Sequence, residues 1–153
     1  MAANGSTDSG AMTPPGRDTD RSAGPTAVRE GETPWTEAEL AQVRADLVAE
    51  AGRLRDDIAA GQVDLGNMLK EPPSGACGEK ADGWSRSMAH EREMSLVTGA
   101  RDGLNQALAA LERLDAGTYG TCESCGQPIG KHRLQAYPRA ALCLSCKSEQ
   151  ERE

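Results

Sequence analysis

Four cysteines near the C-terminal end of the chain are the residues best suited to chemistry. They form two Cys-x2-Cys pairs with seventeen residues between the pairs: Cys122, Cys125, Cys143 and Cys146. Two thiolates at this spacing can bind one side of a tetrahedral ion, and a second pair brought back by a loop completes the coordination. Because four thiolates leave no position for water, the spacing predicts one closed, structural zinc site.

Other interpretations of these residues are weaker. Iron is the main alternative occupant, and a redox dithiol is disfavoured because there are two pairs and no βαβ pattern around them. His132 lies between the pairs, but with four cysteines available we expect it to be a surface residue. Cys77 lies outside the pattern and is expected to be a spare loop residue, with a redox-sensing thiol as the alternative.

The composition limits what can surround this site. The chain has 153 residues and a net charge of −7, with 37% hydrophobic residues, 3% aromatic residues and no Phe. So little apolar bulk favours paired helices and small modules over a thick core. An acidic chain gains little from phosphate attraction, so a protein partner is favoured over nucleic acid. No membrane partner is expected, because no apolar run approaches the ~20 residues of a membrane span.

The N-terminal half of the sequence divides into two parts. Residues 1–33 show no apolar period and are predicted to be a disordered tail. Order is expected to begin at Trp35, with a capping box between Thr36 and Glu39 and a hydrophobic staple from Trp35 to Leu40. Apolar residues then recur at steps of three and four, which is typical of a helix that pairs with one other helix: Leu40, Val43, Leu47, Ala51, Leu54, Ile58, Leu65 and Met68.

A second helix follows a break in the pattern. Pro72 and Pro73 end the first helix, and glycines delay the next one. The second helix is predicted from about Ser85 to Ala116, with Gly117 as its stop. Its apolar positions are Met94, Val97, Leu104, Leu108, Leu111 and Leu114.

These elements predict a mostly α fold in three parts. A disordered tail covers residues 1–33. A long antiparallel coiled-coil hairpin covers residues 34–117, with a tip loop at 71–84. A C4 zinc finger with a short C-terminal helix covers residues 118–153. Pairing of the helices between two chains is the alternative to the hairpin.

The segment YGTCESCGQPIGKHRLQAYPRAALCLSCK, residues 119–147, resembles the C4 zinc finger of the DksA/TraR family of bacterial transcription regulators. The hairpin resembles the coiled coil of that family by its arrangement. The resemblance implies a protein that binds RNA polymerase. It also implies that the coiled-coil tip enters the secondary channel of the polymerase and approaches the catalytic Mg²⁺. The lack of a signal-peptide pattern predicts a cytoplasmic protein, and the closed zinc site, with no Ser/His/Asp or Cys/His arrangement, predicts that it is not an enzyme. The matching residues beside the cysteines are Gly120, Glu123, Ser124, Gly126, Ile129, Gly130, Arg133, Leu134, Ala136, Pro138, Leu142 and Lys147.

The resemblance also implies which residues form the tip. Family members carry an Asp-x-x-Asp-x-Ala motif there, and its best match is DGWSRS, residues 82–87. Asp82 matches the first acid, whereas Ser85 and Ser87 stand at the second acid and the alanine. A lone carboxylate influences a metal centre less than a pair does, so polymerase binding should be retained better than control of the active site. Trp84, a large aromatic beside a glycine loop, completes the predicted partner-binding set, unless it packs at the end of the helical pair.

A guanosine tetraphosphate site is a further implication of the resemblance. Some members use a basic residue shortly before the third cysteine, a Lys after the fourth, and a helix lysine. Lys147 is retained here, but Tyr137 and Gln106 stand at the other two positions. Because a polyphosphate needs cationic donors, we expect weak or absent sensitivity to this nucleotide.

Two other functions stay open at this point. The first is a coiled-coil adaptor or dimerisation protein with a structural zinc finger. The second is a DNA-binding zinc finger that would use Lys131, Arg133 and Arg139, which the acidic balance of the chain disfavours.

Overall fold

The computed structural model describes residues 26–70 and 79–153, with only the backbone for residues 79–82. The predicted mostly α fold is confirmed: an antiparallel helical hairpin is followed by a small C-terminal module. Helices α1 and α2 form the hairpin and pack against each other, and α3 and α4 belong to the module. Their bounds are Glu37–Lys70, Glu79–Ala116, Lys131–Ala136 and Leu144–Gln150. At 1.5 Å per residue, the 34 residues of α1 make a helix roughly 50 Å long.

The described ranges contain little regular secondary structure besides these helices. Their β pairing consists of an isolated bridge between Thr121 and Pro128. None of the helices in these ranges has the length and apolarity needed to cross a bilayer.

The start of α1 agrees with the predicted capping box. The Thr36 backbone N–H donates to Glu39 Oε2 at 2.9 Å, and the Glu39 N–H donates back to Thr36 Oγ1 at 3.2 Å. These bonds satisfy two backbone donors that a helix N-terminus leaves free. The end of α2 also agrees, because Gly117 has a φ of +71° and the Thr118 N–H donates to Arg113 O at 3.0 Å.

The buried core lies at the base of the hairpin, which we define as the end where α1 begins and α2 ends. Leu47 of α1 and Ala107 of α2 are both 0% exposed. The same cluster continues into the C-terminal module, so hairpin and module share one core. Its buried members are Val43, Leu47, Ala51, Ala107, Ala110, Tyr119, Cys122, Ile129, Leu134 and Cys143.

The predicted helix contact is wrong at one position of α2. Met94 is 47% exposed, whereas its neighbour Glu93 is partly buried and Val97 is buried. Opposite them lies the buried Gly61, where an added Cβ would overlap the Val97 side chain. The helices therefore approach closely through a glycine, which permits Glu93 rather than Met94 to face α1. Apolarity alone selects the wrong residue.

The tip side of α2 also differs from the prediction. The helix begins at Glu79, not near Ser85, so the predicted loop ends too late. Gly83 lies inside the helix, at a cost of about 1 kcal/mol relative to Ala that the rest of a long helix can offset. Pro72, Pro73 and Cys77 lie outside the described residues.

The predicted tail is wrong for residues 26–33. They form an ordered segment with a turn, in which the Glu32 N–H donates to Arg29 O and the Arg29 N–H donates to Glu32 Oε2, both at 3.0 Å. The segment contacts the C-terminal module, and such long-range contacts leave no apolar period in the local sequence. Residues 1–25 lie outside the described part of the chain.

Candidate metal centre

The four predicted cysteines converge at one point of the C-terminal module. Their Sγ atoms all lie within 4.8 Å of one another. The Sγ atoms of Cys125 and Cys143 are 3.8 Å apart. A tetrahedral ion with Zn–S bonds of about 2.3 Å requires sulfur–sulfur distances of about 3.8 Å. The arrangement therefore fits a zinc ion with all four thiolates as ligands.

Local backbone structure positions each pair. In the first pair, the Cys122 N–H donates to Gln127 O at 2.8 Å, and the Gly126 N–H donates to Cys122 O at 2.9 Å. This tight turn gives Gly126 a φ of +71°, which a residue without a side chain adopts readily. In the second pair, Cys143 caps α4 and Cys146 lies one turn later, so both sulfurs are on one face of the helix.

The electrostatics of the thiols also favour a cation. Burial of Cys122 opposes ionisation, but backbone N–H groups of Cys125, Cys143 and Ser124 outweigh it and lower its pKa to about 6. The Cys146 N–H likewise lowers the pKa of Cys143. The Ser124 side chain acts to lower the pKa of Cys146, but the neighbouring thiols and burial raise it to about 12. Four sulfurs this close cannot all be thiolates without a positive ion between them.

The position of His132 agrees with its expected place at the surface. His132 is exposed on α3 and is not one of the four grouped ligands. No other group of potential ligands occurs in the part of the chain that the structure describes. Because the four sulfurs can close the coordination shell, the ion supplies folding energy to the module and not an open catalytic position.

The metal centre rests on the apolar core of the base. Tyr119, which is 1% exposed, donates from its hydroxyl to Pro138 O at 2.9 Å. Burial, partly opposed by the charge of Arg113, raises the pKa of Tyr119 to about 12. The Trp35 ring meets the Tyr119 ring edge-on, with centroids 6.1 Å apart. The finger therefore contacts Trp35, two residues before α1, as well as the end of α2.

The predicted tip residues lie far from the metal centre. Trp84 is 72% exposed, and Ser85 and Ser87 are exposed beside it on α2. The backbone of Asp82 belongs to the same helix, and its side chain lies outside the description. From Trp84 to the end of α2 at Ala116 the helix rises roughly 48 Å. The structure thus gathers the four cysteines at one end of the molecule and leaves the tip residues near the other.

A cleft of about 750 Å³ lies between the hairpin and the finger. It brings together Gln106, Tyr137 and Lys147, the three positions that the resemblance compares with a nucleotide site. Lys147 Nζ lies 3.4 Å from Glu151, so this cation already has an acidic neighbour.

Lys131 has a structural role that no local sequence pattern indicates. This lysine is only 7% exposed, and its Nζ lies 2.8 Å from Glu39 Oε2. It also donates to Thr33 Oγ1 at 3.2 Å and to Pro34 O at 3.3 Å, so all three ammonium protons have acceptors. The ammonium lies 5.4 Å from the centre of the Trp35 ring. The partners are more than 90 residues away in sequence, and no local signal indicates them.

Comparison with known proteins agrees with this architecture. The model of the family described as "Prokaryotic dksA/traR C4-type zinc finger" matches residues 117–152. The RNA polymerase-binding transcription factor DksA of Escherichia coli (strain K12) is 33% identical over 122 residues, which cover 77% of this chain and 75% of that protein. The chain belongs to the DksA/TraR family. DksA of Haemophilus influenzae is 40% identical over 62 residues, covering 38% of this chain and 43% of that protein.

A solved structure extends the likeness from the finger to the fold. The structure of transcription factor DksA2 from Pseudomonas aeruginosa has a TM-score of 0.61 and 32% sequence identity. It covers 76% of this chain and 85% of that chain. The C4 finger of the DksA/TraR family and the geometry of the sulfurs together assign one structural zinc ion to Cys122, Cys125, Cys143 and Cys146.

Proposed function

We propose that this chain is a transcription regulator that binds RNA polymerase and inserts the tip of its hairpin into the secondary channel. The proposal rests on membership of the DksA/TraR family, whose relatives include proteins named RNA polymerase-binding transcription factors. It assigns the chain to the cytoplasm and gives it no enzymatic activity. The observation that carries the tip assignment is the exposure of Trp84, which is 72% accessible near the end of a narrow hairpin.

The half of the hairpin away from the base, which we call the tip half, exposes other apolar side chains as well. Leu69 is 78% exposed, Val63 61% and Met88 54%. A partner that covers these side chains would remove their apolar area from water, which favours binding. Trp is also one of the residue types that are enriched in protein–protein interfaces. The tip half therefore has the character of a surface that is buried in a complex.

Each predicted tip residue has a role in this proposal. Trp84 supplies apolar contact area, and Ser85 and Ser87 supply hydroxyl groups that can donate and accept hydrogen bonds. Asp82 supplies the single carboxylate that can approach the catalytic Mg²⁺ of the polymerase. One carboxylate attracts or polarises a hard cation less than two. We therefore propose binding with a weaker influence on the active site than a two-acid tip would exert.

The contacts of the finger cations support the absence of direct, specific DNA binding. Lys131 is buried in its ion pair, and Arg139 Nε lies 3.2 Å from Glu50 Oε1. Arg133 Nε donates to Leu142 O at 3.3 Å. Each of the three cations that a DNA-binding finger would use thus has a partner within the chain. Weak or absent sensitivity to guanosine tetraphosphate remains part of the proposal, because Tyr137 and Gln106 bring no charge to the cleft.

Site-specific photo-crosslinking tests the proposed binding mode. A photoreactive amino acid at position 84 is expected to cross-link to residues that line the secondary channel of purified RNA polymerase. The matched control is position 48, because Val48 is 56% exposed on α1 but lies at the base. Peptides from the channel should be recovered with position 84 and not with position 48. Polymerase that gives no cross-link from position 84 would contradict the proposal and leave the adaptor as the better interpretation.

A further inference from the structure

We propose that two cations of the loop between the cysteine pairs, Lys131 and Arg139, fix the angle at which the finger sits on the hairpin. Lys131 acts through residues 26–34, which we name the N-terminal strap, and through the first turn of α1. Arg139 acts through Glu50, farther along α1. Both are positioning residues, and neither takes part in metal binding.

The strap connects the first turn of α3 to the start of α1. Glu32 Oε2 accepts the Lys131 backbone N–H at 2.9 Å, and the strap residues Thr33 and Pro34 accept from Lys131 Nζ. The same ammonium is 2.8 Å from Glu39, the residue that completes the capping box of α1. One lysine therefore contacts the strap and the helix that the strap leads into.

The strap also lies directly on the backbone of the finger. A Cβ added at Gly120 would come within 2.8 Å of Ala27 O, and Gly120 has a φ of +91°. A residue with a side chain would be strained by this backbone conformation and would push the strap away. The missing side chain at Gly120 thus lets the strap pack directly against the backbone of the finger.

Arg139 makes the second connection across α2. Its Nε lies 3.2 Å from Glu50 on α1, and the side chains of this pair are only 33% and 28% exposed. A Cβ added at Gly103 of α2 would come within 2.5 Å of Arg139 Nη1. The guanidinium therefore passes over the bare backbone of Gly103 to reach the other helix of the hairpin.

Two attachment points determine an orientation that a single point cannot. Glu39 and Glu50 are eleven residues apart on α1, which corresponds to about 16 Å along the helix. Apolar contact between the finger and the base is non-directional and resists separation more than rotation. Charged hydrogen bonds with defined geometry at two points oppose rotation as well.

A fixed angle has a consequence that rests on the proposed function. If the finger as well as the tip contacts the polymerase, the protein must present both surfaces at a set separation. If the finger can rotate, the second contact forms at a lower effective concentration after the first. Loosening the two attachments should therefore weaken polymerase affinity about tenfold or more, without changing the tip.

Residual dipolar couplings of backbone amides test the inference without the polymerase. In the zinc-loaded full-length protein, amides of α1, α2 and the finger are expected to fit one alignment tensor. The double variant Lys131→Met, Arg139→Met should retain one equivalent of zinc but require a separate tensor of smaller magnitude for the finger. The matched control is Lys147→Met, because Lys147 is 45% exposed and pairs with Glu151 at the C-terminal end of α4. This control should keep a single tensor.

A second pair of substitutions covers the case in which the double variant does not fold. Glu32→Gln with Glu50→Gln weakens the same two attachments from the strap and α1, leaves the finger sequence intact, and should also separate the tensors. A single tensor with unchanged finger orientation in either folded variant would overturn the inference. A polymerase titration of the same proteins keeps the two proposals apart. If wild type itself does not bind polymerase, the proposed function fails, while the couplings still decide the orientation.

Discussion

The base and the tip half of the hairpin are built from the same two helices but have opposite surfaces. At the base, Leu47 and Ala107 are fully buried and the finger covers them. In the tip half, Leu69 and Trp84 are more than 70% exposed. A two-helix pair can bury only the strip between its helices, so a third element is needed to bury more. Stability is therefore concentrated where the finger packs, and the tip residues are available for a partner.

Loss of zinc should change the base more than any other perturbation does, while leaving the tip half largely unchanged. Cys122→Ser is expected to release the metal and unfold residues 117–152, because the finger has few buried residues besides its ligands. The tip half of the hairpin should keep its helical amide signals. Metal analysis and amide spectra provide the measurement, with Cys77→Ser as a control outside the four-cysteine group. An intact finger with less than about half an equivalent of metal would contradict the assignment.

Matched leucine truncations sharpen the comparison between the two regions. Leu47→Ala at the base removes a side chain that is 0% exposed and should lower the free energy of unfolding by about 2–5 kcal/mol. Leu69→Ala in the tip half removes one that is 78% exposed and should change it by no more than about 0.5 kcal/mol. Denaturant unfolding of both variants measures the difference. Equal losses would show that the tip half is packed in solution.

Two truncations test how far order extends before α1. Removing residues 1–25 is expected to change the melting temperature by no more than a few degrees. Removing residues 1–34 deletes the acceptors of Lys131 on the strap and should lower the melting temperature of the finger by clearly more. Melting followed through finger amides separates the two. Identical melting of both proteins would mean that the strap contributes nothing to the base.

The contribution of the strap to stability should depend only slightly on pH, and only at acidic pH. Backbone N–H groups of Lys131 and Arg29 hold the pKa of Glu32 below its ordinary value of 4.5. A lowered pKa in the folded state means that the carboxylate stabilises the fold above pH 4.5 and loses this effect as the pH falls through the lowered value. The difference in melting temperature between wild type and Glu32→Gln should therefore be constant from about pH 5 to pH 8. A difference that disappears near pH 6 would contradict this explanation.

Particular residues show what could be predicted from the sequence. The capping box of Thr36 and Glu39 and the spacing of Cys122 and Cys125 are local patterns with one physical meaning, and the structure bears out both. Lys131 could not be interpreted in this way, because its burial depends on partners more than 90 residues away.

Two predictions about the hairpin are wrong, namely that Met94 faces α1 and that α2 begins near Ser85, and neither error involves distant partners of the kind that bury Lys131. Met94 and Glu93 both fit a helical spacing, and only the close approach at Gly61 decides which of them faces α1. Glycines near the tip predict a break and hence a late start of α2, although a long helix can accommodate Gly83. A tertiary contact outweighs the local pattern in the first case, and the length of the helix outweighs local propensity in the second.

In vitro transcription beside a polymerase-binding titration tests the central claim most directly, namely that the tip acts on the polymerase while the base holds the fold. The double variant Asp82→Asn, Trp84→Ala should melt like wild type, because Trp84 is 72% exposed. Its affinity for RNA polymerase should fall by no more than about tenfold, or roughly 1.4 kcal/mol, while its effect on transcription should be lost. Val48→Ala, at an exposed position of the base, should retain both properties. Full transcriptional activity in the double variant would contradict the account.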